Sequence, residues 1–153
     1  WLWFVDTDMG FRPDALHQLL STADPRERPV VGALCYGVVE GEPDGMGGVV
    51  TRVFPTLHGW AEDAQVFTEW EGPVPSGLVR VAGTGAACLL VHRSALDRVE
   101  YGSWFDPVVD GVGNLVGEDL SFCWRLGCVG VPVHVDCGVP TTHQKSVWLR
   151  GGV

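Results

Sequence analysis

Asp6 and Asp8, one residue apart, follow directly on the apolar run Trp1-Leu2-Trp3-Phe4-Val5. Five apolar residues in a row read as a buried strand of a parallel sheet. Carboxylates at the carboxyl end of such a strand stand where open α/β sheets bind ligands. Oxygen ligands of this kind suit hard divalent cations, and Mg²⁺ commonly takes one or two carboxylates plus substrate phosphates. Two acids can also simply close a strand before a turn. A second acidic pair, Glu118-Asp119, opens a later helix. The helix dipole stabilises carboxylates there, either as caps or as a base that takes a proton from a hydroxyl. Gly83-Thr84-Gly85 precedes another apolar run, where glycine lets backbone approach a ligand or merely makes a tight turn. His143 and the cationic Lys145 follow the last apolar run.

The intervening pattern supplies elements to position these groups. Pro13 suits the first turn of a helix, and Ala15, Leu16, Leu19 and Leu20 recur at helical spacing up to Ala23-Asp24-Pro25. Val30–Tyr36 reads as a second strand, so the opening is expected to be a βαβ unit of a parallel sheet. Residues 37–77 are rich in glycine, proline and acids. They read as loops and short strands at the sheet edge, with β-like pieces at Val49–Phe54 and Gln65–Trp70. Leu78–Ala82 leads into the glycine-rich turn and a strand, and Ser94 is expected to cap a short helix. Residues 101–117 read as a loop, Leu120, Phe122, Cys123, Trp124 and Leu126 as one helix, and Val131–Val135 as the last strand.

Length allows one domain over residues 1–153, with enough apolar residues (46%) for a sizeable core. Seven tryptophans are many, and some are expected to line a groove. Ten basic against nineteen acidic residues give −9, which disfavours a nonspecific nucleic-acid or anionic-membrane binder. Cys35 and Cys88 lie in apolar runs and read as small buried hydrophobes; no cysteine pair has zinc-site spacing. Reduced thiols, no bilayer-spanning run and no signal peptide imply a cytoplasmic protein. The chain begins without Met and in mid-domain, so an N-terminal portion is expected to be missing.

The order Asp6-x-Asp8, Gly83-Thr84-Gly85, Gly117-Glu118-Asp119 and His143 resembles the glycosyltransferase A-type fold, most closely the family-2-like inverting glycosyltransferases. The resemblance spans nearly the whole chain. It implies a three-layer, Rossmann-like α/β fold with a mostly parallel sheet. It implies a nucleotide-sugar donor (a UDP- or GDP-sugar), an acceptor hydroxyl, and Mn²⁺ or Mg²⁺ as cofactor. Asp8 and His143 would ligate the metal, with Asp6 acting through water or on the ribose. Gly83, Thr84 and Gly85 would form the glycine-rich loop against donor or acceptor. Asp119 would be the catalytic base and Glu118 its neighbour on the acceptor or that loop. Trp70, Trp104 and Phe105 would flank the acceptor. The competing readings are a nucleotidyltransferase and a non-catalytic sugar- or nucleotide-binding module.

Overall fold

In a computed structural model describing residues 1–43 and 49–144, thirteen strands and three helices follow one another. They are β1 (Leu2–Val5), β2 (Met9–Phe11), α1 (Ala15–Thr22), β3 (Val30–Leu34), β4 (Tyr36–Pro43), β5 (Val49–Pro55), β6 (Leu57–Ala61) and β7 (Val66–Glu69). There follow β8 (Leu78–Val81), β9 (Gly83–Thr84), β10 (Cys88–Val91), α2 (Arg93–Leu96), β11 (Val108–Val109), β12 (Leu115–Val116), α3 (Glu118–Cys128) and β13 (Val133–His143). Six strands form the main sheet in the order β1-β10-β3-β13-β2, with β8 also paired to β13.

The apolar runs of β3 and β10 lie inside this sheet and are buried along their whole length. Alternation on β3 divides the core between the two faces. Val30 and Leu34 join Phe122 and Leu126 of α3, whereas Val31 and Ala33 join Ala15 and Leu19 of α1. The long β13 changes register between Asp136 and Pro140, where Asp136 Oδ1 accepts the Gly138 N–H at 2.9 Å. It pairs with β8 before this irregularity and with β2 after it.

The expected mostly parallel, Rossmann-like α/β sheet is not what forms. Of the main-sheet pairings only β13 with β3 is parallel; β1–β10, β10–β3, β13–β2 and β13–β8 are all antiparallel. Nor are β1 and β3 neighbours in a βαβ unit, because β10 lies between them and is antiparallel to both. The opening run is not a buried interior strand either. It ends the sheet order, and Leu2 and Val5 are 45% and 37% exposed. An apolar run reports low polarity, not its neighbours. Here the neighbour comes from residues 88–91, far along the chain.

Residues 37–77 also depart from an excursion at the sheet edge. The expected β-like pieces form as β5 and β7, but in sheets separate from the main one: β5 pairs with β4, and β7 with β6, which Gly83–Thr84 of β9 joins from beyond the segment. The loop at 101–117 contains the β11–β12 hairpin. β13 runs on to His143 instead of stopping at Val135. Ser94 lies within the first turn of α2, and His92 is the cap, accepting from Ser94 N–H. All five cysteines are free thiols, with Cys35 and Cys88 buried. Among the described residues no helix is long and apolar enough to cross a membrane.

Candidate functional site

The sequence-predicted acids and histidine gather at one end of the main sheet, where β1, β3 and β13 finish and β10 begins. Asp6 continues β1 by one residue: its N–H donates to the Ala87 carbonyl at 3.0 Å. Its own carbonyl accepts from Met9 N at 3.3 Å, closing a four-residue turn that carries Asp8. The Asp8 carbonyl accepts from Gln144 N at 2.9 Å, and Met9 pairs with His143. The turn is thereby fastened to the end of β13.

These backbone bonds bring two side chains together. His143 Nδ1 lies 3.0 Å from the Tyr36 carbonyl, and a carbonyl only accepts, so Nδ1 carries a proton. The other ring nitrogen, Nε2, lies 3.1 Å from Asp8 Oδ2. On a neutral ring Nε2 holds a lone pair, and it faces a carboxylate oxygen that also offers lone pairs. A proton on either atom joins them as a hydrogen bond, and a bound cation could instead take both as ligands. The histidine side chain is 18% exposed and the aspartate 43%, so the pair is accessible from solvent.

Asp119, the second residue of α3, reaches the same region from the other side of β10. Its carboxylate lies within electrostatic reach of the Ala86 N–H. Burial raises its pKa above the ordinary aspartate value; the Ala86 N–H opposes this, and the charges of Glu118 and Asp6 add to the rise. The helix end was expected to favour the ionised carboxylate, but desolvation outweighs it. Cys35, at the end of β3, registers both acids. Burial foremost pushes its thiol up to about 11, Thr141 opposes, and Cys88, Asp6 and Asp119 contribute smaller pushes. Glu118 itself is exposed at the first turn.

The glycine-rich segment divides in two. A Cβ on Gly83 would come 2.7 Å from Leu120 Cδ2 and 2.8 Å from Phe67 Cε1, so this glycine admits α3 and β7. A Cβ on Gly85 would meet Asp119 Oδ2 and Thr56 Oγ1 at an ordinary 3.6 Å. Gly85 therefore borders Asp119, while Gly83 serves internal packing. Thr84 is buried, its hydroxyl 3.5 Å from that of Thr56.

The three expected acceptor-side aromatics pack against the α3-side core. Trp70 Nε1 donates to the Pro73 carbonyl at 3.2 Å. Phe105 contacts Phe4 and Phe122, with ring centroids at 5.6 and 4.8 Å. Trp104 meets Tyr101 edge-on. Lys145 lies outside the described residues. The groups that sequence reasoning missed are the Tyr36 carbonyl, the Ala86 N–H and the Thr56 hydroxyl. Two are backbone atoms with no signature in residue identity, and Thr56 arrives through the N–H it donates to the Cys35 carbonyl at 2.9 Å.

Among the described residues no three His, Cys, Asp or Glu side chains group closely enough to hold a metal ion by themselves. Among the described residues Asp8 and His143 could give a cation two ligands, the others being water or a bound molecule. No family model, curated protein or solved structure matches the chain.

Proposed function

We propose that this chain carries the metal-and-base end of a glycosyltransferase that moves a sugar from a nucleoside-diphosphate donor to an acceptor hydroxyl. The observation that carries the reading is the Asp8–His143 pair, two acceptors facing each other at 3.1 Å, with Asp119 at the same end of the sheet. The resemblance in motif order supports it as well.

The donor set fits Mn²⁺ or Mg²⁺. One hard carboxylate oxygen and one imidazole nitrogen with its outer N–H anchored on a carbonyl suit such an ion, and two protein ligands leave room for phosphate oxygens. Asp8 and His143 would hold the cation, and Asp6, one residue before the turn, would act through water or on the ribose. When bound, the cation supplies charge neutralisation at the diphosphate leaving group. Asp119 takes the proton of the acceptor hydroxyl. Its raised pKa makes it a better proton acceptor than an ordinary aspartate. Gly85 leaves space beside that carboxylate. Glu118 keeps negative charge at its flank and helps hold its basicity up. A base opposite the leaving group implies inversion at the anomeric carbon.

The test is release of nucleoside diphosphate from UDP- and GDP-sugars in Mn²⁺, with wild type, Asp8→Ala and Asp119→Asn compared. Release lost in both variants supports the reading. Release of pyrophosphate from a nucleoside triphosphate and sugar phosphate would favour a nucleotidyltransferase. Tight donor binding without turnover would favour a binding module.

A further inference from the structure

The cleft on the outer side of α3 uses none of the acids just described. It has a volume of about 480 Å³ and lies between the β6–β7 hairpin, β8 and the second half of α3. A smaller cleft of about 100 Å³ adjoins it toward the β11–β12 hairpin. Trp60, Gln65, Phe67 and Trp124 line both, so the two form one groove with these residues at the junction.

The groove is built in advance. Gln65 is the only non-glycine residue with positive φ (53°) among the described residues, and its carbonyl accepts from Gly111 N at 3.1 Å. A Cβ on Gly111 would overlap the Ala64 carbonyl, so glycine is what lets the two hairpins clamp together. The Trp60 ring meets Phe67 edge-on at 5.1 Å. Trp124 sits in mid-helix yet is 39% exposed, at a position where α3 buries Cys123 and Phe122 beside it. An exposed tryptophan on a prebuilt wall presents an apolar plane to a ligand.

The groove carries planar polar groups, the Glu62 carboxylate and the Gln65 amide. Such groups pair two at a time with adjacent hydroxyls. Aromatic planes meet the C–H faces of a pyranose ring. The Glu62 carboxylate on its wall favours a neutral ligand over an anionic one. We propose that this groove binds a saccharide chain by stacking on Trp60 and Trp124, with Glu62 and Gln65 taking its hydroxyls. The site is separate from the metal-and-base reading and stands or falls without it. Should both hold, the acceptor of transfer is a glycan.

The test is a defined array of neutral α- and β-linked gluco-, galacto-, manno- and N-acetylglucosamine oligosaccharides, probed with the whole chain in EDTA and without nucleotide. Retention of at least one series is expected, strengthening with chain length. Trp124→Ala should weaken it roughly tenfold, the free-energy scale of one aromatic contact. Gln65→Ala, which leaves both aromatics in place, should weaken it too, and Asp8→Ala should leave it unchanged. No retention by the wild type overturns the proposal, as does equal retention by Trp124→Ala and Gln65→Ala. Loss of retention in Asp8→Ala would also overturn it, by tying the saccharide to the other site.

Discussion

His143 Nε2 faces Asp8 Oδ2 at 3.1 Å, although 135 residues of chain separate them. The relationship is fixed three times over: by the Met9–His143 pairing, by Gln144 N on the Asp8 carbonyl, and by His143 Nδ1 on the Tyr36 carbonyl. Backbone geometry, not the mutual attraction of the two side chains, sets their separation. These bonds keep a carboxylate oxygen and an imidazole nitrogen within one contact distance.

That arrangement predicts a ligand-linked gain in stability. Mn²⁺ with a nucleoside diphosphate should raise the melting temperature of the wild type, by the equivalent of about 2.7 kcal/mol when ligand exceeds its Kd a hundredfold. Asp8→Asn keeps the shape and lets an amide N–H donate to Nε2, so it should fold at least as well and lose the response. Equal shifts in Asp8→Asn and wild type would remove Asp8 from the metal site.

Asp119→Asn should separate stability from turnover. Burial raises the Asp119 pKa, so the folded state holds this proton more tightly than the unfolded chain, and ionising it above the ordinary aspartate range costs stability. Asparagine cannot ionise. The variant should therefore melt higher than wild type above the raised folded pKa, with the gain fading as pH falls through that pKa and gone below about 3.9, where both folded and unfolded aspartates are protonated. Transfer should drop by roughly 10²–10⁴. In the wild type, transfer should fall on acidification at a pH above the ordinary aspartate range. A variant with normal transfer and an unchanged melt would dismiss both the base and its burial.

The local elements were far more legible than their assembly. Leu19 and Ala15, and Phe122 and Leu126, repeat at helical spacing, so α1 and α3 follow from pattern alone. Asp6, Asp8 and Asp119 were recognisable because acids at element ends stand out against apolar runs. Strand order was not legible. Nothing in Leu2–Val5 says that its partner is Cys88–Val91, running the other way. The long-range bonds that complete the site, such as Thr141 Oγ1 to the Leu34 carbonyl at 3.0 Å, are likewise invisible to any local window. The aromatic expectation shows the same limit. Phe105 carries the right side chain for stacking, but the fold spends its ring on Phe4 and Phe122.

Product stereochemistry tests the single-base mechanism. With Asp119 as the proton acceptor for direct displacement, an α-linked nucleotide sugar should yield a β-linked product. The anomeric proton coupling constant of a gluco- or galacto-configured product decides it by NMR. An α-linked product would require a covalent nucleophile or help from the leaving group, and Asp119 would lose its role.

Gly83 and Gly85 should respond in opposite ways to the same added methyl group. Gly83→Ala forces a Cβ to 2.7 Å from Leu120 Cδ2 and 2.8 Å from Phe67 Cε1. Overpacking of this kind costs about 1–3 kcal/mol, so the melting temperature should fall. Gly85→Ala meets nothing closer than 3.6 Å and should fold normally. Its methyl group, however, would stand beside Asp119 Oδ2, where an incoming hydroxyl must approach. Transfer should fall in Gly85→Ala at unchanged stability, with donor-dependent thermal shifts retained. A Gly85→Ala protein as active as wild type would place the acceptor on another side of Asp119. A Gly83→Ala protein as stable as wild type would show that α3 can move away from β9.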